Sequence, residues 1–294
     1  MEAIDKIINT LKYKDIIKEE SIDYKEIKSG TTNGIIYSLL SEEKPLYVLK
    51  KDQPEIITTT KDFLITYRNV KLLPNVLYTD ENNEFIVYSY ILGDTHVNRG
   101  SKLEWMTIIV EELFNKYKKA DENVSRGRVT GINRNLWADF NLESLEYAKA
   151  NIGDLFSIEE HRRVEVLVNK LNTYEYQEEK YYLHGDAGVH NFVFNDNKLN
   201  GIIDPSPLVG PRIYDFTYAF CSSPDDLDLG TLFTSFSLLN LDNSIDNSML
   251  LEEVLFQLYT RIGICKKVHP QDLDAYLEAW KEWREYLPSL KYYE

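Results

Sequence analysis

Residues 182–220 read YLHGDAGVHNFVFNDNKLNGIIDPSPLVGPRIYDFTYAF, and the fold is decided there. Asp186 and Asn191 stand five residues apart in a polar loop. Two short apolar runs follow, around Phe192–Phe194 and Gly201–Ile203, separated by the turn residues NDNK, so a tight hairpin is predicted. Asp204 comes immediately after the second run. A carboxylate at the end of a buried strand, facing a loop that carries a second carboxylate and an amide, offers the hard oxygen ligands that Mg²⁺ prefers. Such a set suits phosphoryl transfer. That reaction needs a positioned metal, a cation on the phosphates and a group to take the hydroxyl proton. Asp186 is the candidate acceptor of that proton, and Asn191 and Asp204 are the candidate metal ligands.

The step from Asp186 to Asn191 matches the H-x-D-x-x-x-x-N spacing of kinase catalytic loops. His184-Gly185-Asp186 followed after four residues by Asn191, then Ile203-Asp204 after a hairpin, then Tyr214-Asp215, resembles the aminoglycoside phosphotransferase and choline kinase family. That resemblance implies a protein-kinase-like fold, with ATP or GTP as phosphoryl donor and Mg²⁺ as cofactor. It implies that Asp186 is catalytic, that Asn191 and Asp204 hold metal, and that His184 and Asp215 support the catalytic loop. His190 is a departure: the family often has a histidine two residues after the aspartate, where this chain has Gly188, and His190 is given no role.

The flanking sequence is read outward from this centre. Upstream, the pattern is a leading helix over 1–20, strands at Tyr24–Ile27, Ile35–Leu40 and Leu46–Lys50, a helix over 54–67 with Pro54 in its first turn, and strands at Asn75–Tyr78 and Glu84–Ser89. Downstream of Gly93 the periodicity becomes helical, at Leu103–Lys118, Leu142–Ala150, Ser157–Leu171 with a capping box from Ser157 and Glu160, and most of the chain from Tyr214 on. The predicted class is α+β: a nucleotide-binding antiparallel β lobe plus helix over 1–92, and a mainly α catalytic and acceptor-binding lobe over 93–294. Ser29, Gly30, Thr31, Thr32, Asn33 and Gly34 lie between two strands, where a phosphate-binding loop belongs. Lys50 matches the strand lysine of kinases and is preferred to Lys51 because it alternates with Val48. The helix acid that should orient this lysine is missing: its expected position falls near Thr60, and neither Glu55 nor Asp62 fits. Residues 85–93 resemble the interlobe hinge, implying that a nucleobase meets the backbone at Ser89 and Ile91.

Composition bounds the alternatives. The chain has 294 residues, 43% hydrophobic and 28% charged, which suits a globular protein. Its formal charge of −15 disfavours a nucleic-acid partner and favours a cationic hydroxyl-bearing acceptor, such as an aminoglycoside. No apolar run reaches the ~18 residues of a membrane span, and the start is not a signal peptide. Two cysteines outside any metal spacing fit a reducing cytoplasm. Glu252, Glu253, Asp272, Asp274, Glu278, Glu282, Trp137, Trp280 and Trp283 are candidates for acceptor contact. A metabolic kinase for choline or a fructosamine, and a nucleotide-binding pseudokinase, remain alternatives. The sequence leaves the oligomeric state open.

Overall fold

The computed structural model describes residues 2–28 and 34–287. The helix α1 (Glu2–Tyr13) leads into the strands β1 (Asp23–Ile27), β2 (Ile35–Ser41) and β3 (Lys44–Lys51), the helix α2 (Pro54–Thr66), and the strands β4 (Val76–Thr79) and β5 (Phe85–Ser89). The strands form a five-stranded sheet of order β1-β2-β3-β5-β4, antiparallel throughout. Alternation along β3 sorts its side chains. Leu49 packs under α1 with Ile4, Ile8 and Leu11, while Val48 joins the larger core on the other face. Lys50 falls on the same face as Val48.

The first helix stops at Tyr13 rather than near residue 20. Asp15 takes a left-handed conformation (φ 57°), Ile16 N–H bonds Leu11 O at 2.9 Å and Asp15 N–H bonds Lys12 O at 2.9 Å, which is the Schellman pattern of a helix end.

The remainder is mostly helical: α3 (Lys102–Glu112), α4 (Trp137–Ile152), α5 (Ile158–Leu171), α6 (Arg212–Phe220), α7 (Leu229–Phe236), α8 (Asn247–Val268) and α9 (Leu273–Trp283). Short strands thread between them: β6 (Asp94–Thr95), β7 (Gly127–Arg128), β8 (Tyr181–Leu183), β9 (Phe192–Asn195), β10 (Lys198–Ile202) and β11 (Leu208–Gly210). The capping box at Ser157 and Glu160 forms as predicted, and a second one, from Ser101 and Glu104, opens α3. The helix expected over Leu103–Lys118 ends at Glu112, and Phe114–Lys116 form a tighter 3₁₀ turn. Tyr117 leaves that turn extended, which sends its ring into the core toward α6. The helix expected over Leu142–Ala150 begins earlier, at Trp137, whose ring lies where any side chain on Gly210 would be.

The strands β9 and β10 form the predicted hairpin. Its turn residues, Asp196 and Asn197, both have positive φ, the geometry of a two-residue primed turn. The large core runs without a break from α2 and the inner face of the sheet into α3, α4, α5, α6 and α8. Tyr67, just past α2, ties the two regions. Its buried hydroxyl donates to Tyr182 O and accepts from Lys118 N–H at 3.0 Å. Tyr67→Phe removes both bonds and leaves the Lys118 amide without its partner. It should lower unfolding stability by about 1–3 kcal/mol, measured by urea denaturation.

Candidate active site

The strand β8 delivers the chain into the loop from His184 to Asn191, and the elements around it fix that loop before any ligand is considered. Gly185 has φ 77°, and a Cβ there would lie 2.2 Å from Ser206 O, so only glycine fits. Its amide donates to both carboxylate oxygens of Asp215, at 3.1 and 3.2 Å, while Tyr117 hydroxyl donates to Asp215 Oδ2 at 2.5 Å. Asp215 is fully buried. Burial pushes its carboxyl up to about 6, against the hydrogen bonds from Tyr117 and Gly185. His184 is equally buried, and burial lowers its pKa to about 4, so the ring is neutral. Its Nδ1 accepts from Asp186 N–H at 3.3 Å, and Nε2 lies 3.2 Å from Ile203 O. One imidazole therefore links the loop to the end of the hairpin.

Asp186 has both oxygens engaged. Tyr218 hydroxyl donates to Oδ1 at 2.6 Å, and His190 Nε2 lies 3.2 Å from the same atom. Asn191 Nδ2 donates to Oδ2 at 3.0 Å and to Asp186 O at 2.9 Å. Burial works to raise the Asp186 carboxyl, but His190, Tyr218 and the nearby Arg128 outweigh it and hold the carboxyl well below the usual carboxylate range. His190 and Tyr218 are site residues that the sequence reading did not select. Tyr218 stands three residues beyond Asp215 on α6, on the same helix face. Arg128 was also not foreseen; its guanidinium donates to Gly185 O at 2.8 Å and Ser206 O at 2.7 Å.

Asn191 and Asp204 are brought together by a backbone bond from Ile203 N–H to Asn191 O at 2.9 Å. Asp204 has φ 55°, a left-handed conformation that costs a non-glycine residue about 1–3 kcal/mol and is characteristic of functional sites. Its Oδ1 holds the Lys50 ammonium at 2.5 Å. The sequence-predicted lysine and metal aspartate therefore meet across the cleft. Asn191 turns its amide nitrogen to Asp186, which leaves its oxygen, like the Asp204 carboxylate, as a candidate ligand for a cation. The donor set is hard oxygen, and Asp204 already holds a cationic group, so these residues fit Mg²⁺.

Lys50, Asp186 and Asp204 line a polar cleft of about 260 Å³ that also takes in Gly34, Asp52, Ile56, Thr59 and Thr130. Of the predicted phosphate loop, Gly34 is in the cleft, whereas Ser29, Gly30, Thr31, Thr32 and Asn33 lie outside the described residues. At the predicted hinge, Ser89 N–H is already bonded to Asn75 O at 2.9 Å, so it is not free to meet a base. Ile91, by contrast, makes no backbone hydrogen bond among the described residues, which leaves its amide and carbonyl open.

A second cavity of about 450 Å³ lies against α4, α6 and α8. Trp137, Phe140, Tyr214, Tyr218 and Phe256 wall it, Glu253 and Gln257 face it from α8, and Arg128 and Arg134 sit at its edge. Tyr218 connects this cavity to Asp186. Of the acids and tryptophans singled out in the sequence, Glu253 and Trp137 line it. Glu252 instead holds Lys170 at 2.5 Å and Tyr174 at 2.6 Å. Trp280 stacks on Phe156, and Trp283 packs on Phe220 while donating to Leu227 O, so both are core residues. Asp272, Asp274, Glu278 and Glu282 do not line the cavity.

No protein-family model and no curated protein sequence matches the chain. Structurally it is similar to the choline kinase LicA from Streptococcus pneumoniae, with a TM-score of 0.61 and 15% identity over 96% of this chain and 99% of that one. It is similar to the macrolide 2′-phosphotransferase MphH from Brachybacterium faecium, with a TM-score of 0.59 and 12% identity over 95% and 98%. It is also similar to the aminoglycoside phosphotransferase APH(4)-Ia, with a TM-score of 0.56 and 15% identity over 95% and 98%. The fold is thus protein-kinase-like, with an antiparallel sheet in the N-terminal part and a helical C-terminal part, as in these structures.

Glu253 yields a prediction about stability. Its carboxyl is pushed up to about 7 from the ordinary 4.5 by burial, against hydrogen bonds from Tyr176 and Gln177. The fold therefore prefers the un-ionised acid: the associated stability is full below about pH 4.5 and is lost as pH rises through 7. Glu253→Gln should flatten the fall in stability between about pH 5 and pH 8, by up to roughly 3 kcal/mol, as read from urea midpoints at a series of pH values.

Proposed function

We propose that the protein is a small-molecule kinase that moves the γ-phosphate of ATP or GTP to a hydroxyl group. The observation that carries this reading is the meeting of Lys50 and Asp204 across the cleft, beside an Asp186 carboxylate with both oxygens oriented by neighbours.

In this reading Asp186 receives the acceptor hydroxyl and points its lone pair at the donor phosphate. Its low pKa makes it a weak base, so it acts chiefly by orientation and accepts the proton late, as suits a loose phosphoryl-transfer transition state. Asn191 and Asp204 would hold Mg²⁺, which neutralises phosphate charge when bound. Lys50 would turn from Asp204 to the phosphates, and Gly34 lets the backbone approach them. The open backbone of Ile91 suits the edge of a nucleobase. The reading implies a cytoplasmic protein, where the donor nucleotide is made, and the two buried free thiols, Cys221 and Cys265, agree with that.

The acceptor belongs in the aromatic cavity beside Tyr218. Its walls suit a ring-bearing body. Its acids are engaged: Glu143 is paired with Arg134, and Glu253, which the fold keeps largely un-ionised, accepts from Tyr176 and Gln177. The aromatic walls therefore carry the case for the body of the acceptor, and the net charge of −15 agrees with a cation such as an aminoglycoside. The small-metabolite alternative draws on the same residues, since an aromatic box also suits a choline-like ammonium.

The test is Mg²⁺-dependent release of ADP or GDP against aminoglycosides, macrolides, choline and fructosamines. Stimulation by one acceptor establishes the kinase. Tight nucleotide binding with no stimulation by any of them would favour an interaction module instead. Asp186→Asn should lower kcat by about 10²–10⁴-fold with nucleotide affinity nearly unchanged. Asp204→Asn should weaken binding of the magnesium nucleotide itself, measured by calorimetry. Lys50→Ala should raise the nucleotide KM more than Lys51→Ala; the reverse order would move the role to Lys51.

A further inference from the structure

Resting on the kinase reading, the surroundings of Lys50 carry one more step. Its side chain is 8% exposed and its Nζ has two carboxylates near it, Asp204 at 2.5 Å and Asp52 at 3.9 Å. If Asp204 turns to a metal, Asp52 is the carboxylate left to Lys50. The helix α2, which packs beside the cleft, offers no replacement. Its residues that line the cleft are Ile56 and Thr59. Thr60 is buried with a hydroxyl that has no partner among the described residues, Glu55 is exposed in the first turn, and the Asp62 side chain is 59% exposed beside Lys61.

Asp52 is itself built in. Its side chain is only 10% exposed. Its Oδ1 accepts from Gln53 N–H at 2.8 Å. Oδ2 occupies the space in front of Gly34, where a Cβ would come within 2.6 Å of it. A buried carboxylate requires a cation or donors to offset lost hydration, and among the described residues Lys50 is the cation beside it. The two residues alternate onto the same side of the chain at the end of β3.

We propose that Asp52 is the positioning residue that holds Lys50 for the donor phosphates, the task an acid on α2 would otherwise perform. Lysine and anchor then lie two residues apart, Lys50 in β3 and Asp52 just past its end, and the absence of a helix glutamate does not imply an inactive site. Asp52 touches neither acceptor nor reacting atoms in this scheme; it acts through Lys50.

The test is a double-mutant cycle on the full chain, reading calorimetric affinity for magnesium-ATP together with the KM and kcat of nucleotide turnover. Asp52→Asn should weaken nucleotide binding and raise KM by about tenfold, with a smaller change in kcat. In the Lys50→Ala background the same substitution should add almost nothing, because its target is gone. Asp52→Glu should restore part of the loss. If Asp52→Asn is as harmful without Lys50 as with it, the residue serves only the local backbone and the proposal fails. It also fails if Asp52→Asn leaves affinity unchanged in a protein whose Lys50→Ala variant binds weakly. Should Lys50→Ala itself leave nucleotide binding intact, the donor-site reading of the cleft falls first.

Discussion

A single buried carboxylate organises the centre of this protein. Asp215 has no exposure to water, and an acid in that position is tolerable only if its oxygens are met by donors. The Gly185 amide and the Tyr117 hydroxyl meet them. To do so the loop must turn at a left-handed glycine, and the chain after α3 must leave its helix early enough to send Tyr117 inward. Once Gly185 is fixed, Asp186 has little freedom, and the His184 ring carries the same register across to Ile203 and so to Asp204. The position of each candidate catalytic group follows from satisfying one acid in the interior.

Much of this arrangement was legible in the sequence, for a physical reason. Asp186, Asn191 and Asp204 are separated by short, stiff connections, a loop and a two-residue hairpin turn, so spacing along the chain translates into position in space. Val48 and Lys50 were readable in the same way, because strand alternation puts them on one face. What could not be read depends on long-range packing. Arg128 reaches Gly185 and Ser206 from a strand two residues long, too short to carry any period. His190 could not be assigned because its meaning depends on the ring folding back over Gly188, whose missing side chain leaves that space. The end of α1 was misplaced because Asp15 adopts a left-handed cap that glycine or asparagine more often provides.

The two cavities divide the chemistry by polarity. The smaller is lined by charged and polar groups and faces the sheet. The larger is walled by aromatic rings and faces the helices. Tyr218 and Arg128 stand between them, one bonded to the Asp186 carboxylate and the other to the carbonyl just before it. Asp186 thus stands where the two environments meet, lining the smaller cavity and bonded to Tyr218 in the wall of the larger.

The continuity of the core through α2 bears on how the molecule comes apart. The residues of α2 belong to the same apolar core as the C-terminal helices, the Phe63 ring meets Tyr182 and His184, and Tyr67 bonds to backbone on that side. The sheet cannot lose α2 without exposing the interior of its neighbour. Melting should therefore be a single cooperative event, in which the sheet and the loop from His184 to Asn191 are lost together.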